Sequence, residues 1–179
     1  MKKAIIIMLL ALVAVTTVFA SSQLSVAVSP FSFQSVKEVD GDKGYVNSTY
    51  GLGGKAVYAV NFDNSNFYVD AEVGALTFWA LKKTNYTDVF AVAKAGYSFD
   101  VTDKLSLNIE GGYGLDLQCY EDKCSAAGVF DLEAGAEIAV TDKVSVLASC
   151  EGMLSLSKKN DIHYNNWLVN TYIGMGYKF

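Results

Sequence analysis

The chain contains no arginine, and all 14 of its basic residues are lysine. Arginine is the side chain that binds phosphate groups through two parallel hydrogen bonds, so its absence argues against that kind of recognition. The 19 acidic residues give the chain a formal net charge of −5. A chain with this acidic balance is not expected to bind nucleic acid.

Histidine and proline each occur only once. The single histidine, His163, lies near Asp161, but no Ser-His-Asp set and no G-x-S-x-G motif can be assembled from the sequence. We therefore predict that the protein is not an enzyme, with no catalytic site, no cofactor and no metal site. One proline among 179 residues also argues against a proline-rich linker.

Long apolar runs are missing beyond residue 20, where no stretch is apolar over the roughly 18 residues that a transmembrane helix requires. Hydrophobic residues nevertheless make up 51% of the chain, and aromatic residues 13%. They are dispersed in alternation with polar and small residues. This alternation is typical of a transmembrane β-barrel, where lipid-facing and interior residues alternate along each strand.

The first 20 residues have the pattern of a Sec signal peptide. Lys2 and Lys3 form a basic start, residues 4–18 are almost entirely apolar, and Val18 and Ala20 supply small residues before a cleavage point. The run is short for a membrane anchor, and no charge cluster follows it. We predict a signal peptide over residues 1–20 and one mature domain over residues 21–179, with 12 lysines against 19 acidic residues.

Eight segments show the period-2 alternation of a strand with one apolar face. The predicted strands are 23–33, 48–60, 67–80, 88–99, 104–118, 125–140, 144–157 and 165–179. In the fourth segment both faces are apolar around Phe90 and Val92, so the pattern defines least well which face of this strand points to the interior.

Short polar turns alternate with other connectors along this series of strands. The turns are 61–66, 100–103 and 141–143, and the remaining connectors are 34–47, 81–87, 119–124 and 158–164. The tetrapeptide Val101-Thr102-Asp103-Lys104 recurs as Val140-Thr141-Asp142-Lys143, which indicates a repeated hairpin turn. This order places both ends of the mature chain on the same side as the short turns, which is the periplasmic side of an outer-membrane barrel. Of the predicted outer loops, only the first is clearly long.

The strand lengths suit a membrane. Ten tilted residues climb roughly 25 Å, which is the height of the apolar band of such barrels. Strands in lipid can satisfy their backbone groups only in a closed barrel. We therefore predict an all-β fold, an eight-stranded antiparallel up-and-down transmembrane β-barrel.

The last segment carries alternate apolar residues up to a final aromatic residue, and it resembles the C-terminal signal of bacterial outer-membrane β-barrels. The resemblance implies that four residues are read by the barrel-assembly machinery. They are Ile173, Met175, Tyr177 and Phe179.

The whole pattern resembles the small outer-membrane barrels, namely the OmpA transmembrane domain and the OmpX/Ail, opacity-type and OmpW-like proteins. This resemblance implies a bacterial outer-membrane protein, exported through Sec, surrounded by lipid and monomeric. It implies a structural or interaction role through outer loops that meet an unknown extracellular ligand. The alternative is a narrow pore or carrier for small molecules. A soluble lipocalin-like carrier is disfavoured, because the carboxylates share one face with glycines and the aliphatic residues share the other.

Charged residues are predicted on the interior face. They are Lys55, Asp70, Glu72, Lys94, Glu110, Asp116, Asp131, Glu133, Glu137 and Glu151. They could form a cation path or paired catalytic carboxylates, or they could form a polar plug. We expect the plug, because an eight-stranded interior is just wide enough for side chains to fill it and buried charges need partners.

Three cysteines remain. Cys119 and Cys124 flank a predicted hairpin tip, where a disulfide, two free thiols and a metal site are the alternatives. An oxidising compartment favours the disulfide. Cys150 shares its face with Val146, Ala148 and Leu154, so we expect an inert thiol that faces lipid.

Overall fold

The computed structural model describes residues 21–40, 43–62, 65–79, 85–120, 123–159 and 162–179. The predicted signal peptide, residues 1–20, lies outside the described residues. The strands are β1 (Ser21–Asp40), β2 (Lys43–Asn61), β3 (Phe67–Trp79), β4 (Asn85–Asp100), β5 (Leu105–Tyr120), β6 (Lys123–Ala139), β7 (Val144–Lys159) and β8 (Ile162–Lys178). Each strand pairs antiparallel with the next, and β1 pairs with β8, so the sheet closes into a barrel. The predicted fold class is confirmed.

Several strands extend further than the side-chain pattern predicted. The predicted first loop, 34–47, is wrong, because β1 and β2 stay paired as far as Asp40 and Lys43. The connectors predicted at 81–87, 119–124 and 158–164 are shortened in the same way. Backbone hydrogen bonds hold an antiparallel hairpin together without any alternation of side chains, so strands continue beyond the segments that alternate.

The single proline lies at a bulge in β1. The pairing of β1 shifts between Ser29 and Ser32, and both Pro30 and Phe31 are exposed on the outer face. Proline has no backbone N–H to give to a ladder, and such bulges accommodate it. The Ser29 hydroxyl donates a hydrogen bond to the Phe31 carbonyl at 3.0 Å. Inward-facing residues of β1 are therefore odd-numbered before the bulge and even-numbered after it.

The repeated tetrapeptide forms the same turn twice. The hydroxyl of Thr102 accepts a hydrogen bond from the backbone N–H of Leu105 at 3.0 Å, and that of Thr141 accepts one from Val144 at 3.0 Å. These two turns, with the 61–66 connector, define one end of the barrel, which we call the turn end. The opposite end carries the other four hairpins and is called the loop end.

The outer face of the barrel is apolar. Large side chains such as Leu107, Tyr113, Leu115 and Leu132 point away from the barrel and are exposed to between 45% and 63%. Polar and charged residues occupy the interior instead. Among the described residues, no helix is long and apolar enough to span a membrane.

The facing of β5 can be tested by moving a charge from one side of the strand to the other. Ile109 points outward and Asn108 lines the interior. We expect Ile109→Lys to lower the free energy of unfolding by up to about 2–4 kcal/mol, because it places a charge in lipid. Asn108→Lys should cost less, since this side chain meets an interior with several carboxylates. Urea titration of the protein refolded into lipid vesicles measures both changes. Equal losses in the free energy of unfolding would contradict the assignment of Ile109 to the outer face and Asn108 to the interior.

Candidate functional site

The interior of the barrel has three levels along its axis. An apolar layer lies toward the loop end, an ionic cluster lies next to it, and a polar cavity opens at the turn end. Each level is built from residues of several strands that closure of the sheet brings together.

The apolar layer is a packed cluster in which every side chain is 4% exposed or less. Its members are Leu76, Phe78, Phe90, Val92, Val129, Met153 and Leu168. Glycines on neighbouring strands leave room for the aromatic rings, as at Gly74, where an added Cβ would overlap the ring of Phe90. Alternation along single strands does not predict this layer. Its signal was the segment with two apolar faces around Phe90 and Val92.

The ionic cluster is centred on Lys55 and Lys94. The Lys94 ammonium donates to Glu72 at 2.7 Å, to Glu110 at 3.0 Å and to Glu133 at 2.5 Å. The Lys55 ammonium lies 2.9 Å from Glu72 and 2.6 Å from Glu133. Glu72 and Glu133 therefore bridge the two lysines, and Glu151 does so at longer range, 3.6 Å from the Lys94 ammonium.

Further contacts surround this centre. Lys55 also donates to Glu151 at 3.1 Å, and its ammonium lies 4.2 Å from the centroid of the Tyr172 ring. The side-chain amide of Asn170 donates to the other oxygen of Glu151 at 2.8 Å. The cluster thus links residues of β2, β3, β4, β5, β6, β7 and β8.

Strand register explains why the carboxylates meet. Glu110 is paired with Glu133, and Glu133 is paired with Glu151, so three acidic residues face each other across adjacent strands. Directly opposed like charges destabilise a sheet. The lysines offset this repulsion, Lys55 from β2 across the lumen and Lys94 from β4, the strand next to that of Glu110. Gly112, whose added Cβ would lie 2.7 Å from Cγ of Lys94, gives that side chain its path.

Three carboxylates of the cluster lie close enough to suggest a metal site. Glu72, Glu133 and Glu151 each place one oxygen within 4.8 Å of the other two. All three carboxylates already contact the ammonium groups of Lys55 or Lys94 through one oxygen. The cluster is therefore a set of ion pairs, and its positive charges occupy the place that a metal ion would need.

The structure places all ten charged residues named above on the interior face. Asp116 lies apart from the cluster and accepts a hydrogen bond from the Ser155 hydroxyl at 2.6 Å. Glu137 lies nearer the turn end, 3.1 Å from the Lys178 ammonium. The interior also contains a buried pair that the sequence analysis did not single out, in which the Gln34 amide donates to Asp88 at 3.2 Å.

The remaining predicted residues lie outside the lumen. Ile173, Met175, Tyr177 and Phe179 point outward and are exposed to between 43% and 66%. Cys119 and Cys124 are cross-strand neighbours on β5 and β6 and are joined by a disulfide. Cys150 is a free, exposed thiol. The side chain of His163 lies outside the described part of the structure.

The polar cavity has a volume of about 330 Å³. Its mouth lies beside the turns, at residues such as Asn61, Asn66 and Asp100. Its inner end reaches Glu110 and Lys55, where the ionic cluster begins. The cavity therefore enters the lumen from the turn end and ends at the cluster, with the apolar layer beyond it.

A closed eight-stranded antiparallel barrel with an apolar exterior and a charged interior has the architecture of the small outer-membrane barrels. Neisserial surface protein A (NspA) has a TM-score of 0.68 and 14% identity, over 89% of this chain and 99% of that chain. A major outer membrane protein from Thermus thermophilus has a TM-score of 0.57 and 12% identity, over 89% and 100%. Ail, the attachment invasion locus protein of Yersinia pestis, has a TM-score of 0.52 and 21% identity, over 90% and 99%.

No protein-family model matches the chain, and no curated protein sequence matches it either. The likeness to the solved structures therefore shows a shared fold. At that level the resemblance to small outer-membrane barrels is confirmed.

Removing one lysine tests whether the ionic cluster stabilises the barrel. We expect Lys94→Met to lower the free energy of unfolding by about 3–5 kcal/mol, because it leaves several buried carboxylates without their partner. Lys104→Met is the matched control at an exposed turn and should change it by less than about 0.5 kcal/mol. Adding Glu133→Gln to Lys94→Met should restore part of the loss, since the two residues are coupled. Urea titration in detergent micelles measures these values, and equal effects at positions 94 and 104 would contradict the assignment.

Proposed function

We propose that the protein is a non-enzymatic integral barrel of the bacterial outer membrane with a structural or interaction role at the cell surface. The observation that carries this proposal is the combination of an apolar exterior with an interior filled by ion pairs and a packed apolar layer. Such a barrel is suited to hold hairpins at a membrane surface and not to conduct solutes. The outer face is the contact surface for lipid, and the closed sheet is expected to be monomeric because it has no free edge.

The proposed orientation places the turn end in the periplasm and the loop end outside the cell. Short periplasmic turns are usual in outer-membrane barrels. Export through Sec, directed by residues 1–20 and followed by their removal, agrees with this arrangement. The outward-facing residues Ile173, Met175, Tyr177 and Phe179 are proposed as the signal for the barrel-assembly machinery.

The four hairpins of the loop end are the proposed site of interaction with an extracellular ligand. The disulfide between Cys119 and Cys124 ties together the third of these hairpins. Two solved structures of this fold are described as a surface protein and as an attachment invasion locus protein. Those roles belong to those proteins, and they support a surface role here by analogy of fold alone.

A narrow pore or carrier is the second candidate, and the cavity at the turn end is the observation that favours it. The apolar layer opposes it, because Leu76, Phe78 and Val129 are completely buried within the lumen. A hydrated ion would have to pass this layer after the ionic cluster. We therefore place the pore second.

Conductance separates the two candidates. Purified protein in a planar lipid bilayer should show no steady current, because the ionic cluster and the apolar layer fill the lumen. The contrary result would be a stable, cation-selective current that Glu133→Gln abolishes and Lys104→Gln leaves intact. That result would make the protein a pore.

Cysteine labelling of intact cells tests the orientation. In a Cys150→Ser background, a membrane-impermeant reductant followed by an impermeant maleimide should label Cys119 and Cys124. The matched control replaces all three cysteines with serine and carries Asp103→Cys in an exposed turn. It should be labelled only after the outer membrane is permeabilised. The opposite labelling pattern would reverse the proposed orientation.

A further inference from the structure

The interior holds more negative than positive charge at the level of the ionic cluster. Its acidic residues are Asp70, Glu72, Glu110, Asp131, Glu133 and Glu151, and its basic residues are Lys55 and Lys94. Buried carboxylates require partners or protons. Two ammonium groups cannot supply a positive charge for each of these six residues, so this level of the lumen can accept further positive charge.

Asp70 is the carboxylate in this group that the lysines do not reach. Its side chain lines the polar cavity and the residue is only 6% exposed, yet neither of its oxygens has a hydrogen-bond partner among the described residues. Lys94 is its direct cross-strand neighbour. The Lys94 ammonium is directed to Glu72, Glu110 and Glu133 instead.

Glu110 is an acidic neighbour of Asp70 and also lines the cavity. One oxygen of Glu110 accepts from Lys94 at 3.0 Å, and the other accepts from the Tyr68 hydroxyl at 2.6 Å. These contacts hold Glu110 in place beside Asp70. The two carboxylates therefore form an acidic pair, in which Asp70 lines the cavity and can accept a ligand from it.

The space next to this pair is polar and large enough for a hydrated ion. The cavity of about 330 Å³ compares with roughly 30 Å³ for a water molecule in the liquid. Its walls carry neutral hydrogen-bonding side chains, which can hold water molecules in position. They include Gln23, Ser25, Asn61, Asn66, Ser98 and Asn108.

We propose that this cavity binds one hydrated divalent metal cation, with Asp70 as its anionic ligand and Glu110 as the adjacent carboxylate. Hard cations such as Mg²⁺ prefer oxygen ligands and are commonly held by one or two carboxylates while they keep several waters. The cation enters from the turn end and offsets charge that Lys55 and Lys94 leave unpaired. This site is separate from the oxygens of Glu72, Glu133 and Glu151, which the two lysines already occupy.

The test uses MnCl₂ with protein that is refolded in a zwitterionic detergent and free of lipopolysaccharide. Electron paramagnetic resonance of free Mn²⁺ should show saturable binding of one ion per chain, and MgCl₂ should displace it. Asp70→Asn should weaken binding by about tenfold or more, because it removes the charged ligand. Asp100→Asn removes a charge at the mouth of the same cavity and should weaken it by less than about twofold.

Folding of the variants does not limit this test. Asp70→Asn removes a buried charge that has no partner among the described residues, so its stability without metal should equal or exceed that of the unsubstituted protein. In the unsubstituted protein alone, Mn²⁺ should broaden the amide resonances of Gly96 and Gly112 more strongly than that of Val129. Absence of saturable binding, or equal affinity in Asp70→Asn, would overturn the proposal and leave protons as the counter-charge.

Discussion

Closure of the sheet is the constraint on which the rest of this structure depends. A strand can cross a lipid phase only if all its backbone N–H and C=O groups are paired, and pairing of β1 with β8 leaves no edge unpaired. Eight strands also limit the interior to a width that side chains can fill. The same closure that allows the barrel to lie in lipid therefore forces the interior side chains to contact each other across the lumen.

Charge inside so narrow a lumen has to be organised in pairs. Glu110, Glu133 and Glu151 face each other on three adjacent strands, which would be unfavourable by itself. Lys55 reaches Glu133 from β2, across the lumen, and Lys94 reaches it from β4, the strand next to that of Glu110. The cluster thus ties together strands that are distant in sequence, and it fills the space that a channel would need. This is the physical reason for preferring a surface role to transport.

The two ends of the lumen differ in chemistry. Toward the loop end, Phe78 and Phe90 belong to a layer of packed, buried apolar side chains. Toward the turn end, polar side chains line the cavity, and Asp70 lies in its wall next to the ionic cluster. The proposed cation site and the proposed interaction site at the loop hairpins therefore lie on opposite sides of the ionic cluster.

The sequence by itself determined the number of strands and the fold class, and it predicted the face of the charged residues named for the lumen. It did so because side chains alternate with a period of two, so parity assigns Glu133 to the interior and Leu132 to the exterior. Whether a residue is odd- or even-numbered in its strand does not predict its position along the barrel axis or the side chains that it contacts. Only the tertiary structure decided that Lys94 contacts Glu133 and is directed away from Asp70, because strand register across several neighbours sets those distances. At the Pro30 bulge, inward-facing residues change from odd to even numbers, and beyond Ser35 the strands β1 and β2 remain paired. Both features depend on backbone hydrogen bonds, which produce no alternation of side chains in the sequence.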